Sequence, residues 1–178
     1  MSNPDITQPS IRFAESKDVQ SILDIVNHEI LHSTVLYDYR ERTYEKQLGW
    51  FEKKSQDKMP VIVAEKNNKV IGFGTYGIFR PWDAYRYSVE HSIYVNHSVR
   101  GFGVGKLIMA ELIRLAKEQG YHTMIAGVDG SNRGSYEFHR KFGFQEIGTF
   151  KEIGYKFDRW LDLIFLQLFL KDKSETEK

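Results

Sequence analysis

Val99-Arg-Gly-Phe-Gly-Val-Gly-Lys106 is a glycine-rich stretch that follows the apolar run Ile93-Tyr94-Val95 and opens a long amphipathic segment, Val104 to Gln119. Glycine at positions 101, 103 and 105 lets the backbone take φ > 0 and approach an anion closely. The first amides of the following helix have no acceptor within the helix and lie at its positive end. Arg100 and Lys106 add positive charge at either end. The pattern predicts a strand-to-helix turn that holds phosphate groups.

The rest of the chain alternates between strand-like and helix-like patterns around this turn. Strands are predicted at 11–14, 61–65, 70–79, 86–95, 122–128, around 148–150 and at 160–170. Helices are predicted after the capping residues Ser16 and Asp18, after Thr43, at 104–119 and at 132–142. The order β-α-α-β-β-β-α-β-α-β-β predicts an α/β (α+β) mixed sheet with helices on both faces, in which parallel pairing surrounds the helix after the glycines.

The ends of the chain differ in composition from its middle. Residues 1–10 are polar, contain two prolines and have no apolar signal-peptide core, so they predict a flexible N-terminus. Residues 171–178 form a charged C-terminal tail, and 11–170 predicts a single domain. The most apolar run, Leu161 to Leu170, is too short to span a bilayer as a helix. We therefore expect a soluble cytoplasmic protein with no membrane partner.

Composition excludes several kinds of chemistry. The chain of 178 residues has no cysteine, which rules out disulfides, thiolate metal sites and a covalent cysteine acyl-enzyme. We expect no metal site. The formal charge of +1 leaves no strongly basic face, so we expect no nucleic-acid partner.

Spacing separates the glycine-rich stretch from two other phosphate-binding motifs. A Walker loop needs glycine where Arg100 stands and a hydroxyl residue where Leu107 stands. A dinucleotide fingerprint that starts at Gly101 needs glycine or alanine at the position of Lys106, and the preceding strands pair as hairpins. Both ATP and NAD are disfavoured.

The remaining pattern, Arg-x-x-Gly-x-Gly at 100–105, resembles the pyrophosphate loop of the Gcn5-related N-acetyltransferases (GNAT). The family's downstream pattern is matched by Asn132, Ser135, His139, Gly143 and Phe144, with His139 in place of the usual tyrosine. The resemblance covers 11–170 and implies the GNAT acyl-CoA N-acyltransferase fold.

Two further segments, 79–95 and 154–162, resemble the phosphinothricin and methionine sulfoximine/sulfone N-acetyltransferase subfamily. That resemblance implies that Glu90 is the general base for the substrate amine. The positions that match the acetyl-CoA site are Ile93, Tyr94, Val95, Arg100, Gly101, Phe102, Gly103, Val104, Gly105 and Lys106, with Asn132 on the pantetheine arm. Those that match the side facing a small amino-acid-like substrate are Arg80, Pro81, Trp82, Glu90, His91 and Ser92. A homodimer is also expected.

The residues themselves suit acetyl transfer to an amine, which needs a deprotonated amine, a polarised carbonyl and a neutralised thiolate. Strand alternation places Glu90, Ser92 and Tyr94 on one face, where partial burial would raise the pKa of the carboxylate. Amides at 93–95 would polarise the carbonyl if the strand carries a bulge. His139, favoured by spacing, or Tyr136 would protonate the thiolate.

Other interpretations stay open. The glycines suit an ordinary tight turn, Glu90 a salt bridge, His139 a packed helix face and Asn132 a simple N-cap. Arg80 and Arg86 flank an aromatic loop suited to a substrate carboxylate, and Lys156 with Arg159 is a weaker candidate for a pocket shared in a dimer. The alternative functions are acetylation of another amine, such as a polyamine or a protein N-terminus, and non-catalytic CoA binding.

Overall fold

The computed structural model describes residues 8–170 and contains the predicted order of strands and helices. The strands are β1 Ser10–Phe13, β2 Val61–Lys66, β3 Lys69–Ile78, β4 Ser88–Val95, β5 Thr123–Asp129, β6 Gln145–Lys156 and β7 Arg159–Phe169. The helices are α1 Val19–His32, α2 Tyr44–Gln56, α3 Val104–Glu118 and α4 Arg133–Lys141. Ser10, predicted to be part of the flexible N-terminus, is the first residue of β1, while 1–7 and the predicted tail 171–178 lie outside the described residues.

The strands form one mixed sheet in the order β1-β2-β3-β4-β5-β7-β6. The hairpin between β2 and β3 turns at Asn67 and Asn68, whose φ angles of 51° and 59° lie in the left-handed region that asparagine tolerates. β4 and β5 form the parallel pair, joined by α3. The predicted mixed sheet is confirmed.

Helices cover both faces of the sheet and enclose two cores. On one face α3 and α4 pack around the buried side chains of Ile108, Leu112 and Phe144. On the other face α1 covers Phe73 with apolar side chains of its own, and α2 contributes aromatic side chains to the same core. No helix within 8–170 combines the length and the apolar composition that crossing a bilayer requires.

The start of α1 differs in detail from the predicted cap. Ser16–Asp18 forms a short 3₁₀ turn, and the Asp18 carboxylate accepts hydrogen bonds from the Glu15 amide at 2.8 Å and from Arg12 at 2.7 Å. Asp18 therefore ties the helix start to β1, because a buried carboxylate needs charged or amide donors.

The sheet opens between β4 and β5. These strands are paired only from Ser88 to Glu90 on β4, opposite Thr123 to Ile125 on β5. Beyond that point β4 stays paired with β3 while β5 continues along β7. The divergence leaves a wedge-shaped opening on the carboxyl side of Glu90.

The β6–β7 hairpin forms the other edge of the sheet and exposes many apolar side chains. Ile147, Phe150 and Ile153 are more than half exposed along β6. Trp160 on β7 is likewise 60% exposed. An apolar edge of this kind is typical of an interaction surface.

Candidate active site

A cleft of about 870 Å³ occupies the opening between β4 and β5 and brings together most of the predicted site. It is lined by residues of β4, by the glycine-rich loop with the start of α3, by the start of α4, and by the linker between α1 and α2. Of the predicted residues, the lining includes Glu90, His91, Ser92, Ile93, Tyr94, Val95, Arg100, Gly101, Gly103, Val104, Gly105, Lys106, Asn132 and His139. The cleft therefore joins the predicted phosphate turn to the predicted base.

The glycine-rich loop has the backbone that its sequence predicts at two of its three glycines. Gly101 and Gly103 have φ angles of 87° and 83°, and no atom lies within 4 Å of where a Cβ would stand on either. Gly105 is different: it lies within α3 without positive φ, and its Cα faces Phe138 across the cleft. The first two glycines are needed for the turn. The third places no side chain between α3 and the cleft.

The start of α3 presents free amides to the cleft. The Lys106 amide is the first to donate within the helix, to the Gly103 carbonyl at 3.0 Å. The amides that precede it have no acceptor in the helix and lie at the positive end of its dipole. This arrangement suits an anion.

The two cationic residues of the loop behave differently. The Arg100 guanidinium forms an ion pair with the buried carboxylate of Glu29 on α1, and its Nε donates to the Val95 carbonyl at 3.3 Å. Arg100 therefore lines the cleft as one member of an ion pair with α1. Lys106 is exposed at the cleft. Phe102 is 80% exposed and lies outside the cleft lining.

Two amides of β4 point into the wedge. The Asn96 amide donates to the Ile71 carbonyl of β3 at 2.9 Å, and the antiparallel ladder alternates from there. The amides of Ile93 and Val95 therefore face away from β3 and towards the opening. The Tyr94 amide faces β3, and its ring packs against the second core. The register with β3 runs without a shift, so β4 has no bulge against β3, and its divergence from β5 frees these donors.

Glu90 lies half-buried on the opposite face from the apolar residues of β4. Its Oε1 lies 3.4 Å from the point where a Cβ would stand on Gly127, and the Leu163 side chain lies equally close to that point. No hydrogen bond or ion pair within 8–170 engages this carboxylate, so the salt-bridge interpretation finds no partner there. Burial raises its pKa, and the charge of Arg80 opposes that rise. A carboxylate with a raised pKa is a stronger proton acceptor than an ordinary one.

His91 lies on the other face of β4, where it meets His139. The two Nε2 atoms are 3.2 Å apart, and the Nδ1 of His139 lies 2.7 Å from the Ser135 carbonyl. Because a carbonyl only accepts, Nδ1 of His139 carries its proton, and its Nε2 must accept from His91. Burial lowers the pKa of His139 and brings that of His91 to about 3, so both rings are neutral.

This histidine pair bears on two sequence-based assignments. His91 lines the cleft, but it does so from the face of β4 opposite to Glu90 and Ser92. His139 is 6% exposed and both of its ring nitrogens are engaged, which leaves no proton directed at a leaving thiolate. The alternative acid, Tyr136, donates to Glu146 at 3.0 Å and lies outside the cleft lining.

Asn132 begins α4 at the rim of the cleft. Its Oδ1 accepts from the Ser135 amide at 3.0 Å, which confirms the predicted N-cap. Over the described part of the chain, no group of three or more histidine, aspartate or glutamate side chains is placed to hold a metal ion.

The aromatic loop after β3 lies outside the cleft wall. The Arg80 guanidinium stacks over the Phe79 ring at 4.3 Å and donates to its carbonyl at 3.1 Å. Trp82 is 65% exposed, and neither it nor Pro81 lines the cleft. Arg80 therefore does not line the cleft in this structure, although its charge acts on Glu90.

Sequence reasoning missed one wall of the cleft. Val35, Leu36 and Tyr37 of the α1–α2 linker line it, together with Gly127 of β5 and Leu163 of β7. The linker has no periodic pattern that would reveal this role. Gly127 carries a signal, because a glycine inside an apolar strand marks a close approach, here by Glu90.

Comparison with known proteins places this geometry in a family. The model of the acetyltransferase (GNAT) family matches residues 23–144. The chain is 37% identical over 168 residues to the L-methionine sulfoximine/L-methionine sulfone acetyltransferase of Salmonella typhimurium (strain LT2), covering 94% of this chain and 98% of that protein.

Solved structures agree with the sequence match. An N-acetyltransferase from Staphylococcus aureus Mu50 superposes with a TM-score of 0.92 at 45% identity, covering 93% of this chain and all of that one. A GNAT phosphinothricin acetyltransferase from Sinorhizobium meliloti, solved with acetyl-CoA, superposes with a TM-score of 0.88 at 32% identity, covering 92% and 89%. The matched stretch holds the glycine-rich turn, the diverging strands and the capped α4, and the chain belongs to the GNAT family of acetyltransferases.

Proposed function

We propose that this protein transfers an acetyl group from acetyl-CoA to the α-amine of a small amino acid or analogue, such as methionine sulfoximine, methionine sulfone or phosphinothricin. One observation carries the proposal: a single cleft joins a helix start that suits an anion to Glu90, a half-buried carboxylate without a hydrogen bond or ion pair to any described residue. The relatives named for acetylation of these analogues support the substrate class.

The residues present fit acetyl-CoA. The open positive-φ backbone at Gly101 and Gly103 and the free amides at the start of α3 suit the pyrophosphate. The amides of Ile93 and Val95 suit the groups that lie along β4, and Asn132 stands on the opposite rim. When bound, acetyl-CoA supplies an acetyl group activated as a thioester.

Glu90 is proposed as the general base. An amine must lose its ammonium proton before it can attack a carbonyl, and a carboxylate with a raised pKa is matched to that task. The lone carboxylate faces Gly127, where no side chain separates it from the cleft. Since the chain has no cysteine, attack is proposed to be direct and without an acyl-enzyme.

The amides of Ile93 and Val95 are proposed to polarise the carbonyl that receives the amine. Fixed backbone donors stabilise developing negative charge without having to reorganise. His139 is proposed to support the start of α4 by donating its Nδ1–H to the Ser135 carbonyl. Because that proton is already engaged, His139 is proposed to have no role as the general acid.

Arg80 is proposed to reach the substrate carboxylate after leaving the Phe79 ring. The effect of its charge on Glu90 supports this role. We also propose that the protein is a cytoplasmic homodimer that confers resistance to toxic amino-acid analogues. The exposed apolar edge along β6 supports pairing with a second copy.

A thiol-release assay tests the proposal. Purified protein with acetyl-CoA is offered methionine sulfone, methionine sulfoximine, phosphinothricin, a polyamine and a peptide with a free N-terminus. We expect release with the amino-acid analogues. Release only with the polyamine or the peptide would contradict the substrate class, and tight acetyl-CoA binding with no release from any amine would contradict catalysis.

A further inference from the structure

Lys156, the last residue of β6, has a side chain that is buried although it carries charge. Only 3% of the residue is exposed. Its Nζ donates to the Ser33 carbonyl at 2.8 Å and to the Leu36 carbonyl at 2.6 Å, and lies 5.0 Å from the Phe157 ring centroid. Removing an ammonium from water is costly unless donors are satisfied, so this placement requires both carbonyls.

Both carbonyls belong to the segment Ser33–Tyr37, which forms one wall of the cleft. The segment follows α1 and has no helix or strand of its own. Val35, Leu36 and Tyr37 line the cleft within it. A stretch of this kind keeps one conformation only where outside groups hold it.

The same end of the β6–β7 hairpin makes two more contacts with the linker. The Tyr39 hydroxyl donates to the Tyr155 carbonyl. The Tyr37 ring lies against Gly154, so closely that a Cβ there would be 2.7 Å from Cε2. Three consecutive residues, Gly154, Tyr155 and Lys156, thus contact the α1–α2 linker.

This wall faces the acceptor end of the cleft. Tyr37 lies near enough to Asp129 and Asp162 for their charges to raise the pKa of its hydroxyl, although burial is the larger cause. Leu163, which follows Asp162 on β7, stands beside the Glu90 carboxylate. The glycine-rich loop approaches from α3, on the other face of the sheet from α1.

We propose that Lys156 is a positioning residue that fixes the segment Ser33–Tyr37 as the wall of the amine-substrate site. This inference rests on the proposed function and deepens it. Loss of the ammonium frees Ser33 and Leu36, so the wall near Tyr37 becomes mobile and the acceptor site loses its shape. The acetyl-CoA site is built mainly from other elements and keeps most of its affinity, although Ser33 also donates to Glu29, the partner of Arg100.

The test compares Lys156→Met with Lys69→Met, the same change at an exposed lysine at the start of β3. Methionine keeps the length of the side chain without the charge. We expect the KM for methionine sulfone to rise about tenfold in Lys156→Met, while the KM for acetyl-CoA stays within about twofold of wild type, which is the signature of lost substrate binding. Lys69→Met should match wild type in both constants.

A readout without substrate separates this inference from the proposed function. Trypsin cleavage after Arg40, in the linker, should accelerate about fivefold or more in Lys156→Met under native conditions, because local opening exposes the chain. If wild type acetylates no amine, the proposed function fails, and cleavage alone then decides whether Lys156 holds the linker. Unchanged cleavage overturns the anchoring role.

An unchanged KM for methionine sulfone in folded Lys156→Met overturns the proposal, as does an equal rise in both KM values. Folding is checked by thermal melting. If that variant does not fold, Gly154→Ala decides by the same KM criterion, because its methyl group displaces Tyr37 without removing a charge.

Discussion

The two ends of the cleft are assembled in different ways. The end proposed for acetyl-CoA comes mainly from one continuous stretch, from Ile93 to Lys106, completed by Asn132 at the start of α4. The end proposed for the amine comes from the α1–α2 linker, β4, β5 and β7, and it is held in place by Lys156 at the end of β6. The first is a local structure, whereas the second exists only in the folded chain.

This difference predicts how each end responds to change. A local turn depends on its own backbone angles, so a substitution in it should act on that end alone. The acceptor end depends on contacts between distant segments, so it should be sensitive to changes that lie outside the cleft. The following substitutions test that separation.

The largest effect is expected for Glu90→Gln. Losing the proton acceptor should lower kcat about a hundredfold to a thousandfold, as is typical of general bases. Affinity for acetyl-CoA, measured by calorimetry, should not change. Full kcat in this variant would show that Glu90 is not the base. Glu52→Gln, at an exposed position on α2, is the matched control.

The pH dependence of wild type sharpens this result. Burial raises the pKa of Glu90 above its ordinary 4.5, and the base works only when deprotonated. The rate should therefore fall as the pH drops through that raised pKa, above 4.5, and the pH–rate profile of Glu90→Gln should lack this fall. If both proteins lose activity at the same pH, the titrating group is the substrate amine.

A smaller effect is expected for Arg80→Gln. Losing a charged donor to the substrate carboxylate should raise the KM for methionine sulfone about tenfold to thirtyfold. An amine analogue without the carboxylate should show no such rise. Arg86→Gln, whose parent guanidinium stacks on Tyr87, is the control. Equal losses for both amines would refute the carboxylate contact.

Gly103→Ala tests the other end of the cleft. Forcing a Cβ into positive φ costs about 1 kcal/mol or more, so we expect the Kd for acetyl-CoA to rise about fivefold to tenfold. The KM for the amine should stay constant. Gly120→Ala has a similar φ of 79° at the far end of α3 and equally open surroundings, so it carries the same strain away from the cleft. Equal losses of affinity in both would mean that the loop does not bind the cofactor.

The smallest catalytic effect is expected for His139→Asn. If His139 is not the acid, kcat should change less than about threefold, since acid catalysis is typically worth more than that. Stability should fall by about 1–3 kcal/mol, because the His91 donor loses its acceptor. Urea unfolding measures this, with the exposed His32→Asn as control. A kcat loss near a hundredfold would restore His139 as the acid.

Acid should destabilise the wild-type protein through the same pair. Burial lowers the folded pKa of both histidines below the unfolded value of 6.5. The two neutral histidines contribute fully to the free energy of unfolding above pH 6.5, and this contribution is lost as the pH falls below 6.5. Each histidine lowers the free energy of unfolding by up to about 1.4 kcal/mol for each pH unit. His139→Asn should therefore show a shallower fall between pH 6.5 and 5.

The fold and the cofactor end could be predicted because their signals are local. Glycine at 101 and 103, the capping Asn132 and strand alternation around Glu90 each act within a few residues. The wall formed by Ser33–Tyr37 could not be predicted from the sequence. Nothing in this segment indicates that Lys156, more than a hundred residues later, donates to its carbonyls. For the same reason the local sequence around Arg100 does not indicate its partner, Glu29, which lies on α1.

The pairing of β4 with β5 ends at Glu90, so the following backbone amides of β4 have no neighbouring strand on that side. Beyond Glu90, the donors of Ile93 and Val95 have lost the strand that would complete the ladder. A ligand that accepts from these amides takes the place of that missing strand and becomes part of the fold. Bound ligand should then protect this part of β4 from hydrogen exchange and raise the melting temperature with its concentration.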